Sequence, residues 1–157
     1  MQMPEPSPEH RKLASLAGEW VGEEILHPSP WSPETRRALG RFSMRMAVDD
    51  LFLVNDYEEE RDGRVVFRGH GVYGWDAPRE RYTMHWFDSM GGSPSETLGV
   101  WSGDELVFTN QGEQGHGRYI YSVHGPDRLG FRIETSRDGH EWATLMEGAF
   151  KRVRAAT

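Results

Sequence analysis

From Arg37 onward, apolar and polar side chains alternate almost without a break. A period of two marks strands with one buried face. The short polar stretches between these runs read as hairpin turns, and each turn sets a register. Asp49-Asp50 as a two-residue turn places Met46 opposite Leu53, Met44 opposite Asn55 and Phe42 opposite Tyr57. Arg61-Asp62-Gly63 as a three-residue turn places Tyr57 opposite Phe67 and Asn55 opposite Gly69. A two-residue turn at Asp62-Gly63 is set aside, because it moves Asp56 and Glu58 onto the apolar face. A four-residue turn from Asp76 to Arg79 places Tyr73 opposite Tyr82, Gly71 opposite Met84 and Gly69 opposite Trp86. Large side chains then cover strand glycines. Gly103-Asp104 pairs Trp101 with Leu106, and Gly125-Pro126-Asp127 pairs Tyr121 with Phe131. Asp138-Gly139 pairs Thr135 with Trp142, Ile133 with Thr144 and Phe131 with Met146.

All of these hairpins agree on which face is apolar, and agreement between independent turns is stronger evidence than any one turn. Upstream, Ser7 reads as an N-cap, Pro8 as the first helical residue and Gly18 as the stop, giving a short helix from Pro8 to Leu16. A strand follows from Glu19 to His27. Three prolines and Trp31 between His27 and Pro33 mark a loop or flap. Counting Glu19–His27 as the first, the chain holds ten antiparallel strands with a single apolar face. A sheet of that size curls and closes, which removes its edges. The expectation is an all-β chain: a single closed antiparallel β-barrel of about ten strands, lipocalin-like, with a short N-terminal helix. Residues 1–12 form an arm and the helix start, 13–153 the barrel and 154–157 a tail.

Composition narrows the chemistry. Against 18 Lys and Arg stand 25 Asp and Glu, a net charge of −7, in a chain of 157 residues. That balance argues against a nucleic-acid partner, because phosphate contacts need a positive surface. There is no Cys, so disulfides, thiolate metal sites and Cys nucleophiles are excluded. No run reaches the roughly 20 apolar residues of a membrane span, and no secretory signal precedes the helix, so the cytoplasm is the default compartment.

Leu16-Ala17-Gly18-Glu19-Trp20-Val21-Gly22 resembles the Gly-x-Trp opening of lipocalin-like (calycin) barrels. Phe67-Arg68-Gly69-His70-Gly71, Gly74-Trp75-Asp76 and Trp86-Phe87-Asp88-Ser89-Met90-Gly91 resemble one uncharacterised bacterial calycin-like family, the domain of unknown function numbered fifteen seventy-nine. Asp138-Gly139, Met146-Glu147-Gly148 and Lys151-Arg152 fit its closing hairpin. The resemblance runs from about Leu13 to Arg152 and implies a closed barrel, with no catalytic residues to carry over. The chain departs from the family at Asp49-Asp50-Leu51, where Gly-Gly-Arg or similar tends to stand. The haem-binding nitrobindin-like cousins carry an axial His in the last strand, and Met146-Glu147-Gly148-Ala149-Phe150 has none, so no cofactor is expected.

The inward aromatic and Met side chains suggest a lumen for a small hydrophobic or aromatic molecule. The residues expected to bind it are Trp20, Glu24, Met44, Met46, Asn55, Tyr57, Tyr73, Tyr82, Met84, Trp86, Asp88, Tyr119, Tyr121, Trp142 and Met146. Glu24, Asn55, Tyr57, Asp88, Thr97, Asn110 and Thr144 are the polar groups of the inner face. A buried Glu24 can be tuned into a general base. His70 and His85 fall opposite one another, but on the polar face and without a third ligand, so no metal is expected. No Gly-x-Ser-x-Gly elbow is present. The leading expectation is a carrier or sensor of a small hydrophobic molecule, with the loop around Trp31 as mouth or lid. The alternatives are a cofactor-independent cyclase, isomerase or hydrolase acting inside the barrel, and a structural or dimerisation domain with a filled lumen.

Overall fold

The computed structural model describes residues 1–154, so Ala155, Ala156 and Thr157 of the expected tail lie outside the described residues. A helix α1 (Pro8–Leu13) runs into a single 3-10 turn (Ala14–Leu16). Ten strands follow: β1 (Gly18–Leu26), β2 (Arg36–Ala47), β3 (Phe52–Arg61), β4 (Arg64–Asp76), β5 (Arg81–Asp88), β6 (Ser95–Ser102), β7 (Glu105–Gly112), β8 (Gly115–Val123), β9 (Arg128–Ser136) and β10 (Ala143–Arg154). Each pairs antiparallel with the next, and β1 pairs with β10, so the sheet is a closed barrel. Arg154 ends β10 and does not begin a tail.

The helix starts where the sequence says it should. Pro8 occupies the first turn, where its missing N–H costs nothing, and the Ser7 backbone N–H donates to His10 Nδ1 at 3.0 Å. The helix then plugs one end of the barrel. Leu13 and Leu16 are buried among Trp20, Met44 and Leu53 in the core. The Tyr82 hydroxyl donates to the Glu9 carbonyl at 2.8 Å, and the Trp20 indole N–H donates to the Leu16 carbonyl at 2.9 Å. The Arg152 guanidinium lies 4.1 Å from the Trp20 ring centroid and donates to the Ala17 carbonyl.

The β2–β3, β6–β7 and β8–β9 registers are those the turns predict: Phe42 faces Tyr57, Trp101 faces Leu106 and Tyr121 faces Phe131. Three others differ. Between β3 and β4 the turn is the two-residue Asp62-Gly63 form that sequence reasoning set aside, with Arg61 opposite Arg64. Val66 is an extra residue between the Glu60–Val65 and Glu59–Phe67 pairs, and this bulge restores the parity that the shorter turn upsets. Tyr57 therefore faces Gly69, two residues from the expected Phe67, and both registers put the same side chains inside. Between β4 and β5 the four-residue turn is 77–80, again a shift of two: Tyr73 faces Met84 and Gly71 faces Trp86. His70 and His85 are consequently not opposite one another; His70 faces Phe87 and His85 faces Val72. Between β9 and β10 a bulge at Leu145 sets Met146 against Ile133 and Gly148 against Phe131. Thr144 then pairs with Glu134 on the outer face. Trp142 precedes the strand and stacks at 3.7 Å beneath the outward Arg118 guanidinium, outside the lumen.

Two consequences are measurable. Val48, Asp49 and Asp50 take left-handed φ of 53°, 58° and 61°. Asp tolerates that region, whereas a β-branched side chain is strained there. Val48→Gly is expected to raise stability by about 1 kcal/mol in urea unfolding. Leu13→Ala leaves a cavity under the plug and is expected to cost about 2–5 kcal/mol by the same measurement.

Candidate functional site

The plug fills only one half of the barrel. At the other end a cavity of about 630 Å³ opens to solvent. Its walls are Phe42, Tyr57, Phe67, Met84, Trp86, Tyr119, Tyr121, Phe131, Ile133 and Met146, with Thr97 among them; its mouth is ringed by His27, Ser29, Trp31, Arg36, Glu59, Asp88, Ser95 and Asn110. The rings support one another: Phe42 and Phe131 meet edge to face at 5.7 Å and 87°, Tyr57 meets Phe67 edge to face at 6.2 Å, and Trp86 lies tilted 6.4 Å from Tyr57. Such contacts hold the walls in place without a ligand. Trp31 is 80 % exposed on a tight loop closed by the Ser29–Ser32 bridge.

Beneath the cavity lies a line of buried hydroxyls. The Tyr121 and Tyr73 hydroxyl oxygens are 2.5 Å apart, and the Asn55 amide donates to Tyr73 at 3.4 Å. Burial pushes both phenols above their ordinary pKa, so they act as neutral hydrogen-bonding groups.

Glu24 is fully buried, and its carboxyl meets the Tyr57 hydroxyl at 2.6 and 2.8 Å. Glycines make the space for it. A Cβ on Gly40 would come within 2.6 Å of Glu24 Cδ, and one on Gly148 within 3.2 Å of its Cγ. Desolvation pushes the carboxyl up to about 7; the Tyr57 hydrogen bond and Arg61 pull it down, and the nearby Glu59 charge adds to the rise. Glu24 does not line the cavity: Tyr57 stands between them.

The structure gathers Tyr57, Met84, Trp86, Asp88, Tyr119, Tyr121 and Met146 of the expected residues around the cavity. Trp20, Met44, Met46, Tyr73 and Tyr82 face inward but pack in the half that the helix fills, and Asn55 and Glu24 lie behind the lining. Trp142 is outside the lumen altogether. Asp88 is held by its own neighbours, accepting from the Trp86 indole N–H and the Met90 backbone N–H, both at 2.9 Å. Glu59 was missed. It shares the parity of Tyr57, lines the cavity and is 7 % exposed, with Arg61 donating to it at 3.1 Å. Parity alone marks it, but a charged residue on an apolar face reads as an error of register.

Fold and site together define a calycin-like β-barrel, blind at the helix end and open at the other. The chain belongs to the family described as "Protein of unknown function (DUF1579)", whose model matches residues 5–152. The structure is similar to that of Rv2717c from M. tuberculosis, at a TM-score of 0.70 and 16 % identity, covering 94 % of this chain and 99 % of that one. It is also similar to the S-type phycobiliprotein lyase CPES from Guillardia theta, at a TM-score of 0.61 and 11 % identity, covering 97 % and 99 %. At these identities the likeness is one of fold. No curated protein matches the chain.

The raised Glu24 carboxyl has a pH signature. In the unfolded chain it loses its proton near the ordinary 4.5, whereas the folded protein holds it to about 7. As pH rises from 4.5 to 7 the unfolded state is therefore increasingly favoured, and above 7 the loss is complete. Urea unfolding of the parent chain and Glu24→Gln at pH 5 and pH 8 is expected to shift their stability difference by roughly 2–3 kcal/mol in favour of the variant at the higher pH. A constant difference would mean that Glu24 titrates normally.

Proposed function

We propose that this protein holds a small hydrophobic molecule, aromatic in character, in the open half of its barrel. The observation that carries the reading is the cavity of about 630 Å³, walled by seven aromatic side chains and two Met and sealed at its inner end. That volume lies within the roughly 300–1,000 Å³ of small-molecule pockets. Apolar walls with a few polar groups bind by removing apolar surface from water, with the polar groups setting orientation. A barrel of this shape also serves as a phycobiliprotein lyase, a parallel at the level of fold alone.

Binding is preferred to catalysis because the one carboxyl tuned near neutrality lies behind Tyr57, out of contact with the cavity. A purely structural role is disfavoured by the unfilled volume. No helix among the described residues is long and apolar enough to cross a membrane.

Native mass spectrometry of protein purified from its own host is expected to show a retained small mass. The fluorescent probe N-phenyl-1-naphthylamine is expected to bind the emptied barrel, and Ile133→Trp, which fills the cavity from β9, is expected to weaken that binding at least tenfold. A bare chain mass together with no probe binding would remove the proposal.

A further inference from the structure

Four side chains that line the cavity are both polar and buried: Tyr57, Glu59, Thr97 and Tyr121. Three are committed within the protein. The Tyr57 hydroxyl is on Glu24, the Tyr121 hydroxyl on Tyr73 and the Glu59 carboxylate on Arg61. Thr97 is 5 % exposed and lines the cavity, and its hydroxyl takes no part in these three pairs. Its oxygen is not sealed away without a partner; it faces the open cavity, where water or a ligand can pair with it.

Its neighbours extend the same chemistry to the mouth. Ser95 precedes Thr97 by two residues on β6 and faces the same way, opposite Trp86. Asn110 on β7 comes one step beyond the Leu98–Thr109 pair, beside Thr97, and also lines the cavity. Both are exposed at the mouth, with Thr97 buried below them. These three make one polar stripe on β6 and β7. The wall formed by β8, β9 and β10 offers Tyr119, Tyr121, Phe131, Ile133 and Met146. Hydroxyl and carboxamide groups can both donate and accept, and none of the three carries a charge.

We infer that Thr97, Asn110 and Ser95 are the polar anchor of the ligand, and that the molecule taken is a flat, uncharged ring system with hydroxyl and carbonyl groups along one edge. An alkyl chain would leave the stripe unpaired; Arg36 at the mouth is the cation its acid end would meet, which makes an alkyl acid the competing occupant to test. This rests on the lumen-binding reading above and names the ligand class for that site.

Three probes test it by fluorescence titration or displacement. 3-Hydroxyflavone carries a hydroxyl and a carbonyl on one edge, 2-phenylnaphthalene is flat without that edge, and palmitate is an alkyl acid. 3-Hydroxyflavone is expected to bind tightest. Thr97→Val is expected to weaken it about tenfold while leaving 2-phenylnaphthalene within about twofold, and Thr97→Ser to restore it. The urea midpoint of Thr97→Val is expected to equal or exceed that of the parent. Binding of both flat probes with no effect of Thr97→Val on 3-hydroxyflavone overturns the inference and leaves lumen binding intact, as does tighter binding of palmitate. A clear loss of stability in Thr97→Val overturns it as well, since the hydroxyl then has a protein partner. Failure of all three probes to bind removes the lumen reading and this inference with it.

Discussion

The pairing of β1 with β10 is the contact on which everything else depends. An open ten-stranded sheet has two faces and two edges, and its apolar face needs a separate layer to cover it. Closure removes both requirements. It gives the sheet an interior that its own side chains line, and it forces every inward residue from every strand into one shared volume. The size of that volume is set by strand number before any side chain is chosen. The helix fills one half of it through Leu13 and Leu16, and the aromatic side chains narrow the other half without filling it.

The crowding explains the strand glycines. Gly69 lies under the Trp86 ring, with a hypothetical Cβ only 2.1 Å from the indole. Gly40 plays the same part for the Glu24 carboxyl, and Gly148 for the Phe150 ring and the Glu24 stem. Small residues are placed where a large neighbour must cross the wall, so the interior is a set of size-matched pairs. Glu24 survives in such a place because one partner, Tyr57, satisfies it and because its proton can stay on near neutrality.

The barrel was legible in the sequence because parity is robust. Two of the misjudged registers, β3–β4 and β4–β5, were displaced by two residues, and such a slip returns each side chain to the same face. Bulges were not legible. The extra residue at Val66 can be inferred only by trusting the Asp62-Gly63 turn over the local pattern, and the one at Leu145 moved Thr144 and Trp142 to the outside. The site was half legible. Inward direction could be read for Met44, Tyr73 and Tyr82, but depth could not, because nothing local reports how far a six-residue helix reaches into a barrel. Glu59 was hidden by its charge, and its Arg61 partner sits two residues along the same strand.

Among the described residues the helix stoppers one end of the barrel and the cavity opens at the other. A small molecule held in the lumen as proposed would leave past the same ring of Trp31, Arg36 and Asp88 that admitted it. Exchange would then be sequential: an incoming molecule could not push its predecessor out from behind, and residence time would be governed by the clearance at that rim.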